Sequence, residues 1–153
     1  RRVEVEPQVE GSPTVPLYKD FEVIDRNGEP VKLSDVIRNG GKRYVLVDFW
    51  ATWCGPCRDE MPNVIKAYDL YKDKGLEIIG IAVDDKVESC RKYISNNNIG
   101  WINVCDDKEH DINSIYGVWG IPDNVLIDCK TGIIIGRDLR GKYLDEELNK
   151  LMK

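Results

Sequence analysis

Histidine is almost missing from this sequence: His110 is the only one in 153 residues. A zinc site built on a C-x-x-C pair needs a second Cys or His pair. Cys90, Cys105 and Cys129 are too widely spread to supply one, so no metal is expected. A haem-attachment motif would carry histidine after its second cysteine, and Arg58 stands there. A basic stripe is also lacking. The net charge of -5 comes from carboxylates mixed with Lys and Arg along the chain, which excludes nucleic acid and anionic lipid as expected partners. Long apolar runs are absent too: the longest, Ile78 to Val83, is far short of the roughly 20 residues that cross a bilayer. No transmembrane segment is expected. The five cysteines are an odd count, and beyond Cys54 and Cys57 they suggest no pairing scheme, so a disulfide scaffold is not expected. The first residue is Arg1 rather than Met. A processed or excised chain is expected, with any signal peptide or membrane tether upstream.

What is present fits one globular unit, since 42% of the residues are hydrophobic. Residues 1–16 are rich in Val, Glu and Pro without periodicity and are expected to form an extended tail or linker, leaving a domain over 17–153. A turn signal, Asp25-Arg26-Asn27-Gly28, between apolar flanks predicts a hairpin within Phe21 to Leu33, with a helical turn at Ser34 to Arg38. Tyr44 to Trp50 reads as a strand buried on both faces and interrupted by one carboxylate, Asp48. From Pro56, apolar residues at helical spacing predict a helix to about Lys74, kinked at Pro62 and stopped at Gly75. Leu76 to Val83 is a second strand. Asp85 and Glu88 form a capping-box-like start to a helix carrying Val87, Cys90 and Ile94 on one face. A strand at Trp101 to Val104, a short helix at Asp111 to Tyr116, a closing hairpin around Asp128 to Gly132 and a last helix with Leu144, Leu148, Leu151 and Met152 complete an α/β mixed sheet flanked by helices.

Cys54-Gly55-Pro56-Cys57 lies between the first buried strand and a helix start. Free amides and partial positive charge at that helix end lower the pKa of a thiol there, which marks Cys54 as a nucleophile. The two-residue spacer brings Cys57 within reach of the Cys54 sulfur, so Cys57 can resolve a mixed disulfide. The run Val47-Asp48-Phe49-Trp50-Ala51-Thr52-Trp53-Cys54-Gly55-Pro56-Cys57 resembles the active-site segment of the thioredoxin superfamily. Arg58-Asp59-Glu60-Met61-Pro62, and an inserted helix and strand between Val83 and Val118, resemble the TlpA/ResA-like branch, over about Leu17 to Lys153.

That resemblance implies a thioredoxin-like fold and assigns further residues. Gly120-Ile121-Pro122 is similar to the family's loop facing the disulfide, with a cis proline and a residue, here Ile121, whose backbone pairs with substrate. Trp53, Gly55 and Pro56 join the substrate-binding set. Asp48 falls where thioredoxins keep a buried acid beneath the second cysteine, suited to take the proton of Cys57; a purely structural carboxylate is the alternative. The family's lysine partner for this acid has no counterpart on Glu77 to Val83. Trp119 and Asp123 depart from the usual pattern and are expected near the disulfide. Cys90 and Cys105 are expected to be free buried thiols, and Cys129 an exposed one open to oxidation.

The function implied is thiol-disulfide exchange without a cofactor beyond the Cys54-Cys57 disulfide. Its partners would be a protein disulfide and an upstream thiol electron donor, for a monomer working in the periplasm or anchored facing it. A peroxiredoxin-like peroxidase and a non-catalytic binding module remain as alternatives. Against the first, Thr52 lies two rather than three residues before Cys54.

Overall fold

The computed structural model describes residues 15–105 and 111–152. The expected tail falls mainly on residues 1–14 and lies outside them, as does His110. Pro16 is already tied to the domain, its carbonyl accepting from the Ile134 N–H at 2.8 Å.

A small antiparallel hairpin, β1 (Glu22–Ile24) and β2 (Pro30–Lys32), precedes α1 (Leu33–Asn39). Asp25 closes its turn, Oδ1 accepting from the Asn27 and Glu29 N–H groups at 2.8 and 2.9 Å. The central sheet then forms from β3 (Tyr44–Trp50), β4 (Leu76–Ala82), β5 (Ile102–Val104), β6 (Asp123–Asp128) and β7 (Ile134–Arg137), in the order β5-β4-β3-β6-β7. β3, β4 and β5 run parallel, β6 pairs antiparallel with β3, and β7 pairs antiparallel with β6. The helices are α2 (Gly55–Tyr71), α3 (Val87–Asn96), α4 (Ile112–Ile115) and α5 (Lys142–Leu151).

The period-2 alternation of β3 sorts the core into two layers. Val45, Val47 and Phe49 pack with the hairpin, α1 and Tyr116, whereas Leu46 and Trp50 pack with Met61 and Val64 of α2 and Leu144 and Leu148 of α5. Asp48 lies between Leu46 and Trp50 in that alternation and so belongs to the α2 layer. α2 runs through Pro62 as one helix. It gives way to a single 3-10 turn over Lys72–Lys74, which ends on Gly75 at φ +113, a conformation that suits glycine.

Two expectations fail here. The Asp85/Glu88 capping box does not form: Lys86 is the N-cap residue of α3 and makes no side-chain cap, because the Asp85 carboxylate is engaged elsewhere. Cys90 and Cys105 are not free thiols but a disulfide, with Cα atoms 5.7 Å apart, inside the range that a bridge requires. Burial was legible from the helix face of Cys90; the partner was not. Only the packing of α3 beside the sheet edge at β5 brings residues 15 apart into register.

A closed loop of that length is worth about 3 kcal/mol. Replacing Cys90 and Cys105 together by Ala should lower unfolding stability by that order in denaturant titration under non-reducing conditions. Unchanged stability, or alkylation of both cysteines in the native non-reduced protein, would contradict the bridge.

Candidate active site

β3 delivers the chain to a tight bend at Ala51 to Trp53, and α2 starts at once after it. Cys54 is the N-cap residue of α2, and its Sγ accepts from the Cys57 N–H at 3.2 Å. The first N–H groups of a helix have no intrahelical acceptor, so the sulfur fills the role that Ser or Asp usually plays. Pro56 sits in the first turn, where its missing N–H costs nothing. Gly55 has open space where a Cβ would stand. Cys54 and Cys57 form a disulfide with Cα atoms 5.2 Å apart. A thiolate at Cys54 would face the positive end of a 17-residue helix, the arrangement that lowers thiol pKa. Both residues are buried, at 5% and 2% exposure. In the oxidised pair the loop opposite lies against Cys54.

That loop is Trp119 to Pro122. The Ile121–Pro122 peptide bond is cis, and the Ile121 carbonyl oxygen lies 3.7 Å from Cys54 Sγ. Trp119 stands in solvent at 81% exposure. Asp123 is held by Arg137 at 3.1 Å, which blunts its charge toward the sulfurs.

Asp85 was assigned a helix cap from sequence and instead builds the site. Its Oδ2 accepts from the Thr52 N–H and its Oδ1 from the Thr52 hydroxyl, both at 2.7 Å. The Trp53 indole N–H donates to the Asp84 carbonyl at 3.0 Å, and Arg58 Nη1 donates to the Thr52 carbonyl at 3.0 Å. Four contacts thus fix the two residues before Cys54. An Asp directly after a strand that neighbours a C-x-x-C strand was the available signal. Trp53 still leaves 58% of its surface exposed, while Trp50 is buried against Tyr93.

A buried polar row crosses the sheet at Asp48. Strand pairing places Asn124, Asp48, Gly80 and Asn103 side by side across β6, β3, β4 and β5. Gly80 occupies the position opposite Asp48 where a cation would neutralise it. A Cβ on Gly80 would come within 2.6 Å of Asn103 Oδ1 and 3.1 Å of Trp101 Nε1, so a side chain here would require Asn103 to shift. Burial, with no cation in this row, pushes Asp48 from its ordinary 3.8 up to about 7, and the charges of Glu60 and Asp123 add to the shift. Glu60 was not singled out from sequence. It follows Cys57 by one helical turn, and its Oε2 accepts from the Asn63 amide and the Gly141 N–H, both at 2.9 Å.

Cys129 corrects a further expectation. It is half-buried rather than exposed, and burial followed by the charge of Asp128 pushes its thiol up to about 11, which leaves it unreactive near neutral pH. Among the described residues no group of three His, Cys, Asp or Glu side chains could hold a metal ion.

Comparison with known proteins places these features. The AhpC/TSA family profile matches residues 17–137. The thiol-disulfide oxidoreductase ResA of Bacillus thuringiensis subsp. konkukian is 34% identical over 134 residues, 88% of this chain and 73% of that protein. Among solved structures, the thioredoxin domain of a Bacteroides vulgatus thiol-disulfide oxidoreductase is 34% identical with a TM-score of 0.78, covering 94% of this chain and all of that one. A thiol:disulfide interchange protein from Bacteroides sp. is 35% identical with a TM-score of 0.77, covering 89% and 88%.

A carboxyl whose folded pKa is raised binds its proton more tightly in the native state, so it lowers stability as pH climbs through the window between its two pKa values. Asp48→Asn should therefore be more stable than the parent at pH 8, with the difference shrinking as pH falls from about 7 and vanishing below about 4. Denaturant midpoints across pH 3 to 9 test this. A difference independent of pH would mean that Asp48 is not buried in its charged form.

Proposed function

The chain belongs to the AhpC/TSA family of thioredoxin-like proteins and is a thiol-disulfide oxidoreductase, and on that footing we propose that it reduces protein disulfides outside the cytoplasm through Cys54 and Cys57. The observation that carries this reading is the Cys54 sulfur capping α2 while bonded to Cys57 and touched by the Ile121 carbonyl.

In the reduced protein the Cys54 thiolate attacks one sulfur of the substrate disulfide. That S–S bond breaks, a Cys54–substrate bond forms, and the departing thiolate takes a proton from solvent. Cys57 gives its proton to Asp48, and its thiolate attacks Cys54 Sγ. The mixed disulfide breaks, the second substrate thiol leaves, and Cys54–Cys57 closes. Two electrons have passed from the dithiol to the substrate. A carboxyl with pKa about 7 accepts a proton near neutral pH and returns it readily. Regeneration needs an external dithiol donor to supply two electrons. Ile121, beside the cis proline, offers its backbone to the substrate, and Trp53, Gly55 and Pro56 frame the sulfur.

Location outside the cytoplasm is supported by Cys90–Cys105, a second, buried disulfide, since such bridges persist in oxidising compartments. No helix among the described residues is long and apolar enough to cross a membrane. A peroxidase reading is not favoured: the relatives carry disulfide-exchange names, and Cys54 has its resolving partner within the same helical turn.

Insulin reduction should proceed with dithiothreitol as donor, while peroxide consumption stays at background. Redox equilibration followed by tryptophan fluorescence should give a potential nearer about -270 mV than about -120 mV. A value above about -180 mV would make the protein an oxidant or isomerase instead.

A further inference from the structure

Trp119 is the most exposed large apolar side chain among the described residues. Single exposed apolar residues are ordinary on protein surfaces; its position is not. It lies two residues from Ile121, whose carbonyl touches Cys54 Sγ. Apart from that contact, the backbone N–H and C=O groups of Trp119, Gly120 and Ile121 have no hydrogen-bond partner among the described residues. The loop thus presents unpaired backbone beside the reactive sulfur, the setting in which an extended chain adds by strand-like pairing. Trp119 borders an open groove with Ile121, Pro122, Asp123, Arg137 and Arg140. Its charges are closed in pairs, Arg137 with Asp123 at 3.1 Å and Arg140 with Asp138 at 3.2 Å. What the groove offers freely is an indole face and backbone, not charge.

Resting on the reductase reading above, we propose that Trp119 sets the substrate preference of this protein by stacking an uncharged apolar or aromatic side chain close to the reactive cysteine of an extended polypeptide. Along such a chain side chains alternate in direction. When the residue beside the substrate cysteine pairs with Ile121, one two positions along lies over Trp119. Gly120 between them carries no side chain, and no atom lies within 4 Å of where its Cβ would stand, so nothing blocks the approach. An aspartate or lysine in that place would lose hydration without gaining a partner, because the nearby charges are already satisfied.

The test uses the reduced protein with peptide disulfides whose third residue from the cysteine is Phe, Leu, Asp or Lys, beside 2-hydroxyethyl disulfide, which has no peptide chain. The wild type should favour Phe and Leu peptides over Asp and Lys peptides by about tenfold in kcat/KM. Trp119→Ala should erase that ratio through KM, and Trp119→Phe should keep most of it. No preference in the wild type, an unchanged ratio in Trp119→Ala, or an equal loss on 2-hydroxyethyl disulfide would overturn the proposal, the last by assigning Trp119 to the dithiol itself. A wild type that reduces 2-hydroxyethyl disulfide but no peptide overturns the proposal and leaves exchange chemistry standing. One that reduces neither overturns the reductase reading and the proposal with it.

Discussion

The N–H groups in the first turn of a helix need an acceptor, and here one of them is met by a sulfur. The Cys57 N–H donates to Cys54 Sγ, so the atom that completes α2 also belongs to the Cys54–Cys57 disulfide. Much of the structure serves to hold that cap. β3 is buried along six of its seven residues and ends rigidly at Trp50. Asp85 then clamps Thr52, and Arg58 ties the same residue from the helix side. Cys54 has little freedom before it, and Pro56 restricts the turn after it.

The central strand also carries a buried carboxyl, Asp48. A carboxyl inside a core strand is costly unless paired or protonated. The sheet gives Asp48 a glycine on one side and Asn124 on the other. Asn103 and Trp101 crowd Gly80, and the β4 residue paired with Asp48 brings no charge. The acid is left to titrate in the neutral range. Burial is the main cause of that raised pKa, and the charges of Glu60 and Asp123 add to it.

Much of this was legible in the sequence because the signals were local. The continuous β-branched run of β3, the Gly75 stop and the Asp25 turn each specify their own element. Cys54, Cys57 and Asp48 are likewise fixed by their places on one strand and one helix end. What failed was long-range. The Cys90–Cys105 bridge depends on how α3 packs beside β5. The true partner of Asp85 is 33 residues away, and an S-x-x-E-like local pattern suggested a cap instead. Glu60 matters through the charge it brings to bear on Asp48, 12 residues earlier in the chain. Cys129, placed in a turn by pattern, is half-covered by tertiary packing that no window of residues reveals.

On the proposed function, the helix end acting on Cys54 alone supplies the reactive thiolate. Titrating thiolate absorbance in the reduced protein, with Cys54→Ser and Cys57→Ser variants to assign the transitions, tests it directly. Cys54 should ionise below the about 8.5 of a free cysteine, and Cys57 should ionise after it. Ionisation of Cys54 at or above about 8.5, or of Cys57 ahead of Cys54, would contradict the account.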